Sequence, residues 1–227
     1  MNVALIVAGG SGKGMGLDIP KQFVIVDGKP LLFYAVHAFA FHKDIDDLVL
    51  VVPKDYKEEV EGYIKKYSLP KISSIVVGGE TRQQSVKNGL DEIKRKGIQD
   101  DDIVLIHDAA RPLVSEDIIT ENVRLARSYG AVMTALPSVD TVVKGTRSVE
   151  KFLNRDEIYL EQTPASFMFK VIYDAHIKAK GNDASDDCSL VKENGIDIQI
   201  VKGNRNNFKI TTQEDLKIFE LLKKENN

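Results

Sequence analysis

The chain reads as an α/β fold built on a doubly wound, mostly parallel sheet, and three observations carry that reading. Strand-like and helix-like stretches alternate five times up to Leu136, which is the mark of βαβ crossovers. The strand-like runs are apolar on both faces, as in Asp47-Leu48-Val49-Leu50-Val51-Val52, and such runs belong to a parallel sheet covered on both sides. The first run, Val3 to Ala8, ends abruptly in Gly9-Gly10-Ser11-Gly12-Lys13-Gly14-Met15-Gly16, closed by Pro20-Lys21-Gln22. Ligands of doubly wound sheets sit beyond the carboxyl ends of the strands.

After that loop, Lys29-Pro30 opens a helix with Leu32, Tyr34, Ala35, Ala38 and Phe39 as its apolar positions, and proline is tolerated in a first turn. The run from Asp47 to Val52 is stopped by Pro53. A helix from about Tyr56 to Tyr67, a strand at Ile72 to Val77 and a helix from Thr81 to Lys96 follow. A strand at Ile103 to His107, a helix from Glu116 to Ser128 and a strand at Ala131 to Leu136 complete the alternation. From Pro137 the rhythm breaks. Val139 to Gly145 and Val149 to Leu160 read as two extended segments around a Gly-Thr-Arg-Ser turn, too polar and isolated for core strands. A two-stranded ribbon is marginally stable alone, so this one is expected to pack against another subunit. Helical pattern returns at Phe169 to Lys180 and Asp187 to Glu193. Short strands are expected at Ile198 to Val201 and Phe208 to Ile210, then a final helix from Gln213 to Lys224 capped by Thr212. At 227 residues the expected layout is one domain over 1–227, with the ribbon as an excursion at about 138–163.

Composition narrows the partners. Net charge is −3, from 31 basic and 34 acidic residues well interspersed, so there is no broad basic face for nucleic acid and no polybasic patch for a membrane. The opening apolar run lacks a basic n-region and enters Gly9-Gly10 directly, which reads as a core strand rather than an export signal. No stretch approaches the roughly 18 apolar residues of a membrane span. The single Cys188 makes no intrachain disulfide and reads as a passive thiol, in keeping with a reducing cytoplasm.

Four clusters stand where this architecture puts ligands. The glycine loop lets backbone approach a phosphate, because glycine lacks a Cβ, and Lys13 and Lys21 flank it. It is no P-loop: Val7 stands where the first glycine belongs and Gly14 where the metal-binding hydroxyl belongs. Met15 likewise spoils a dinucleotide fingerprint begun at Gly10. The second cluster, Gly78-Gly79-Glu80-Thr81-Arg82-Gln83-Gln84-Ser85, reads from spacing alone equally as a turn with a helix cap or as a contact for a base edge. In the third, His107-Asp108-Ala109-Ala110-Arg111-Pro112, a carboxylate ending a strand opposite a triphosphate suits Mg²⁺, and Asp as a turn-former is the competing reading. The acidic run Asp100-Asp101-Asp102 reads as a solvated turn. The fourth cluster is Asn207-Phe208-Lys209-Ile210-Thr211-Thr212.

Ala-Gly-Gly-x-Gly-x-x-Met-Gly followed by Pro-Lys-Gln, together with His-Asp-Ala-Ala-Arg-Pro, resembles the nucleotidyltransferases that couple CTP to small sugar or polyol phosphates. The 2-C-methyl-D-erythritol 4-phosphate and ribitol-5-phosphate cytidylyltransferases are the nearest families. The resemblance covers nearly the whole chain and implies a Rossmann-like nucleotidyltransferase fold with a protruding β-arm. It further implies that Ala8, Gly9, Gly10, Ser11 and Gly12 cradle the nucleotide and that Gly79, Glu80 and Ser85 select cytosine. Asp108 is implied to hold Mg²⁺ and approach the substrate, and Lys21 and Lys209 to surround the reacting phosphorus. Arg111 is implied to complete an anion site, and Thr141, Arg155 and Thr163 to bind the sugar phosphate across a homodimer joined through the arm.

Those residue types suit nucleotidyl transfer. The acceptor phosphate is already an anion at neutral pH, so no general base is needed, and the chain offers no convincing Ser-His or Cys-His pair. The reaction needs two anions held together and charge stabilised on the equatorial and leaving oxygens. One departure from the family pattern stands out. An arginine usually precedes the loop methionine, and here that position is Gly14, preceded by Lys13. Lys13 is expected to take over part of the triphosphate contact, with slower turnover, because lysine lacks arginine's two-pronged fork. Three functions follow in order: transfer of CMP from CTP to 2-C-methyl-D-erythritol 4-phosphate in isoprenoid-precursor synthesis, the same transfer to ribitol 5-phosphate, or a nucleotide-binding protein that has lost catalysis.

Overall fold

Seven strands form one sheet around the first of them. A computed structural model describes residues 1–9 and 19–225. In chain order, β1 (Asn2–Val7) leads to a small antiparallel pair, β2 (Ile25–Val26) with β3 (Lys29–Pro30), and then to α1 (Leu31–Ala40). There follow β4 (Asp47–Val52), α2 (Lys57–Lys66), β5 (Ile72–Val77), α3 (Arg82–Arg95), β6 (Ile103–Asp108), α4 (Glu116–Tyr129) and β7 (Ala131–Pro137). The second half holds β8 (Val143–Gly145), β9 (Val149–Phe152), β10 (Tyr159–Met168), α5 (Phe169–Lys178), α6 (Asp187–Glu193), β11 (Gln199–Lys202) and α7 (Gln213–Glu225).

The sheet order is β11-β7-β10-β6-β1-β4-β5. All neighbours are parallel except β10, which runs antiparallel to both β6 and β7. Chain order reverses at β1, with β4 paired on one side and β6 on the other. The crevice beyond the carboxyl ends of β1 and β6 is therefore the switch point where doubly wound sheets bind ligands. Alternate residues of β1 point to opposite faces, and each face has its own core. Ala4 and Ile6 pack with Val36, Phe39, Ile119 and Val123 beneath α1 and α4. Val3, Leu5 and Val7 pack with Val86, Leu90 and Ile172 beneath α3 and α5.

The structure departs from the sequence reading in the second half. Val149 to Leu160, expected as one extended segment, is broken by a 3-10 turn at Arg155–Glu157, where Asn154 accepts from the Asp156 N–H at 3.3 Å. Residues 159–163, expected within the excursion, form the outer half of β10, whose inner half is buried at the heart of the sheet. The excursion itself is a ribbon of β8 and β9, every residue of which is exposed. Phe208 to Ile210, expected as a strand, pairs with no strand among the described residues. It is extended chain pinned by one backbone bond, from the Ile210 N–H to the Ala110 carbonyl at 2.9 Å. Thr212 does cap the last helix, its Oγ1 accepting from the Asp215 N–H at 3.2 Å. Among the described residues no helix is long and apolar enough to cross a membrane.

Candidate active site

The switch point opens into a cleft of about 380 Å³ walled by Gly9, Lys21, Glu80, Arg82, Asp108 and Lys209, among others. Four separate stretches of sequence deliver these residues, each tied down by buried neighbours. Val7 and Asp108 stand level at the ends of β1 and β6, which puts Ala8 and Gly9 beside the Asp108 carboxylate. Ala8 is fixed from both sides: its N–H donates to the Val51 carbonyl at 2.8 Å, and its carbonyl accepts from the Gln22 amide. Gln22 and Phe23 are both buried, and Phe23 stacks on Tyr56 with centroids 4.1 Å apart. Lys21, the first residue of that one-turn 3-10 helix, is thereby aimed into the cleft.

The entrance to α3 is built around Ser85. Thr81 and Gln84 form a reciprocal capping box, satisfying backbone donors that the helix start leaves open. Ser85 Oγ accepts from the Gly79 N–H at 3.1 Å and donates to the Thr81 carbonyl at 2.9 Å. Gly79 has no room for a side chain, because a Cβ there would lie 2.4 Å from Cβ of Gln84. The cap reading and the ligand reading of this stretch thus coexist: Ser85 is buried and internally bonded, while Gly79 and Glu80 remain exposed.

Asp108 is the electrostatic centre. Its Oδ2 lies 2.7 Å from Nζ of Lys209 and its Oδ1 lies 3.4 Å from Nε of Arg82. Burial disfavours the charged carboxylate, yet Arg82 and then Lys209 outweigh that penalty and hold it well below the usual range. Lys21 shows the reverse effect. Burial lowers the ammonium's affinity for its proton, and repulsion from Lys209 lowers it further. Two ammonium groups from opposite ends of the chain therefore converge on one cleft. Among the described residues no carboxylate lies within 4 Å of Lys21 or of Arg111. Arg111 donates instead to the carbonyls of Asn207 at 2.9 Å and Glu161 at 3.3 Å. Thr163 is buried behind Asp108 and takes the Asp108 N–H on its hydroxyl at 3.1 Å.

Not every predicted position gathers here. Gly10, Ser11, Gly12 and Lys13 lie outside the described residues, as does Gly14. Thr141 and Arg155 stand on the exposed excursion, Arg155 donating to the Val139 carbonyl at 3.2 Å. Neither walls this chain's own cleft. Sequence reasoning passed over Arg82, although it sits inside the Gly78–Ser85 string, because its partners Asp108 and Asp187 are distant in sequence. Cys188 is buried, and burial pushes its thiol far up, as suits a passive group.

Comparison with known proteins places this geometry. The sequence profile of 2-C-methyl-D-erythritol 4-phosphate cytidylyltransferase matches residues 2–224. The enzyme of that name from Clostridium botulinum (strain Loch Maree / Type A3) is 40% identical over 223 residues, 96% of each chain. Its namesake from Clostridium tetani is 41% identical over 232 residues, covering 100% of this chain and 92% of the relative. Among solved structures, 4-diphosphocytidyl-2C-methyl-D-erythritol synthase from Anaerococcus prevotii superposes with a TM-score of 0.83 at 31% identity, covering 99% of this chain and 96% of its own. The Francisella tularensis 2-C-methyl-D-erythritol 4-phosphate cytidylyltransferase gives 0.82 at 31% identity, covering 97% and 98%. Matched from end to end in sequence and fold, the chain belongs to the 2-C-methyl-D-erythritol 4-phosphate cytidylyltransferase family.

Proposed function

We propose that this chain transfers CMP from CTP to 2-C-methyl-D-erythritol 4-phosphate, releasing pyrophosphate, as a step in isoprenoid-precursor synthesis. The observation that carries the proposal is the meeting of Lys21, Lys209 and Asp108 in one cleft at the switch point, in a chain of this family. The relatives and structures named above carry the erythritol acceptor in their names, so ribitol 5-phosphate is the second choice.

The chemistry follows from the charges. CTP lies with its triphosphate along the glycine-rich sequence that follows β1 and its cytosine toward Gly79, Glu80 and Ser85. The acceptor phosphate enters beside Asp108 and Arg111, and Thr163, its hydroxyl committed to the Asp108 N–H and to His107, supports that wall from behind. An oxygen of that phosphate attacks the α-phosphorus and pyrophosphate leaves on the opposite side. Lys21 and Lys209 repel each other in the free protein, and a polyanion between them removes that repulsion. They neutralise the charge that builds on the phosphate oxygens, and once Lys209 has passed from Asp108 to the bound nucleotide this placement costs no further reorganisation at the moment of reaction. The donor set at Asp108 fits Mg²⁺: one ionised carboxylate at the floor of the cleft, with the remaining ligands left to phosphate oxygens and water. Asp108 would hold Mg²⁺ there, which would supply further positive charge to the phosphates. The one group of three ligand-type side chains among the described residues, Glu161, Asp186 and Cys188, does not include Asp108. The site is completed in a homodimer by Thr141 and Arg155 of the partner subunit. A cytoplasmic setting accords with the single buried cysteine.

Pyrophosphate release from CTP and Mg²⁺ with each acceptor in turn tests the assignment. Release with the erythritol phosphate alone supports it, and release only with ribitol 5-phosphate moves the chain to the second acceptor. CTP binding without release in either case identifies a protein that has lost catalysis. In the same assay Gly14→Arg raises the rate where Lys13 has been standing in for the missing arginine. An unchanged rate removes Lys13 from that role.

A further inference from the structure

Two cations of unequal freedom hold Asp108. Lys209 reaches Oδ2 at 2.7 Å from a side chain that is 39% exposed, at the end of a flexible stem. Arg82 reaches Oδ1 at 3.4 Å through Nε, and its far end is tied down. Its Nη1 lies 2.8 Å from Oδ2 of Asp187, a side chain only 2% exposed. The other oxygen of Asp187 lies 3.1 Å from Nε2 of His176, which is also buried. One planar guanidinium thus joins the start of α3, the end of β6 and the first turn of α6. A guanidinium can hold two carboxylates in a fixed relation, which an ammonium cannot.

The reaction proposed above requires Lys209 to leave Asp108 for a phosphate, with Asp108 then facing the cleft. Arg82 cannot follow Lys209, because its departure takes the one permanent cation from the buried carboxylate of Asp187 and leaves it, among the described residues, with His176 alone. We infer that Arg82, anchored by Asp187, is a positioning residue that fixes one oxygen of Asp108 so that the other passes from Lys209 to the divalent cation and nucleotide. This inference rests on the assignment of Asp108 as the metal carboxylate.

The test uses Mn²⁺ titrations of the full-length protein with saturating CTP and no acceptor, followed by water proton relaxation, beside thermal unfolding and steady-state kinetics. Residues that orient a metal ligand typically change metal affinity or activity by about 10–100-fold. Arg82→Gln should weaken Mn²⁺ binding by about tenfold and lower kcat, leaving the KM for CTP little changed. Arg82→Lys should recover part of the loss, since a point charge reaches one carboxylate at a time. Asp187→Asn, which keeps Arg82 but loosens its anchor, should move both readouts in the same direction by less. Wild-type Mn²⁺ affinity in a folded Arg82→Gln protein overturns the inference, as does a defect confined to the KM for CTP, which would make Arg82 a direct phosphate contact. Should Arg82→Gln fail to fold, wild-type Mn²⁺ affinity in Asp187→Asn overturns it equally. Asp108→Asn separates the two levels. If it binds Mn²⁺ normally, the metal assignment itself is wrong; if it loses Mn²⁺ while the Arg82 and Asp187 variants do not, only the positioning role is.

Discussion

The protonation of His107 can be read from its neighbours. Thr163 Oγ1 accepts the Asp108 N–H at 3.1 Å, which leaves the hydroxyl's own hydrogen for Nδ1 of His107, also 3.1 Å away. Nδ1 is then an acceptor, and Nε2 carries the proton and donates to the Arg111 carbonyl at 3.0 Å. The ring is fully buried, and burial, outweighing the pull of these bonds, lowers its pKa from 6.5 to about 4. The folded chain therefore binds this proton less readily than the unfolded chain. The associated stability is complete above pH 6.5 and is lost toward pH 4, at about 1.4 kcal/mol for each pH unit between those limits. Glu161 works in the opposite sense. Burial and then Asp186 raise it from 4.5 to about 7, so the folded chain takes up that proton first and gains stability as pH falls. Glu161 lies on the exposed end of β10, so its desolvation is partial and solvent screening makes it the weaker of the two, and Glu161→Gln should steepen the acid loss of stability in denaturant titrations. Nitrogen-15 spectra at pH 6 should show His107 neutral with hydrogen on Nε2. A Nδ1–H tautomer, or titration near 6.5, would show that Thr163 does not support the Asp108 backbone in this way. At this scale Asp108 and Lys21 were legible because one ends a strand and the other flanks a glycine-rich stretch, whereas Lys209 was picked out only by its place in the family pattern. The sequence could not announce the Arg82–Asp187 pair, since an ion pair between distant segments leaves no local pattern.

The strands and helices were legible wherever burial and polarity agreed. The continuous apolar runs of β1, β4 and β6 are buried on both faces, and α3 and α4 show the apolar spacing of helices laid on a sheet. The buried stretch of β10 from Gln162 onward escaped because it includes Gln162, Thr163 and Ser166, which interrupt any apolar run. Each is satisfied inside: Gln162 donates to the Asn204 carbonyl at 2.9 Å and Ser166 to Asn122 Oδ1 at 2.9 Å. Asn122 in turn donates to Thr134 Oγ1 at 2.8 Å, tying α4 to β7 and β10. Such a network spares these polar groups the cost of burial while hiding the strand from any test of hydrophobicity. Gly89 was also silent in the sequence. It lets α3 approach the sheet, since a Cβ there would meet Leu5 Cδ1 at 2.4 Å and Val51 Cγ2 at 3.0 Å. Alanine would gain up to about 1 kcal/mol of helix propensity but overpack a fully buried site at a cost of about 1–3 kcal/mol. Gly89→Ala should therefore lower the urea midpoint without changing the slope, and a raised midpoint would mean that Leu5 has another rotamer to use.

The exposed ribbon is the physical ground for the proposed dimer. Among the described residues β8 and β9 pair with each other and with no other strand, which is marginal for isolated strands in water. Their apolar side chains face solvent, with Phe152 68% exposed and Val149 55% exposed, next to Val139 at 59% and Leu160 at 56%. A run of exposed apolar groups on an otherwise well-charged surface marks an interaction site. A second copy is the economical occupant, because a two-fold axis buries both ribbons at once and closes the assembly. In the proposed dimer Thr141 and Arg155, which do not wall their own cleft, would serve the partner's. Sedimentation equilibrium should therefore find a dimer, and Phe152→Lys should shift it to monomer with little loss of thermal stability, since the ribbon contributes no residue to the buried cores. Whether the dimer shares its sites can be separated from whether it forms. Arg155→Ala and Asp108→Asn proteins should each be inactive as homodimers. In a mixed dimer one cleft carries both lesions and the other carries neither, so random pairing of equal amounts restores about a quarter of the wild-type rate in a two-fold assembly. No recovery from mixed dimers, or full activity from a monomeric Phe152→Lys protein, would show that each chain completes its own site and that the ribbon serves some other contact.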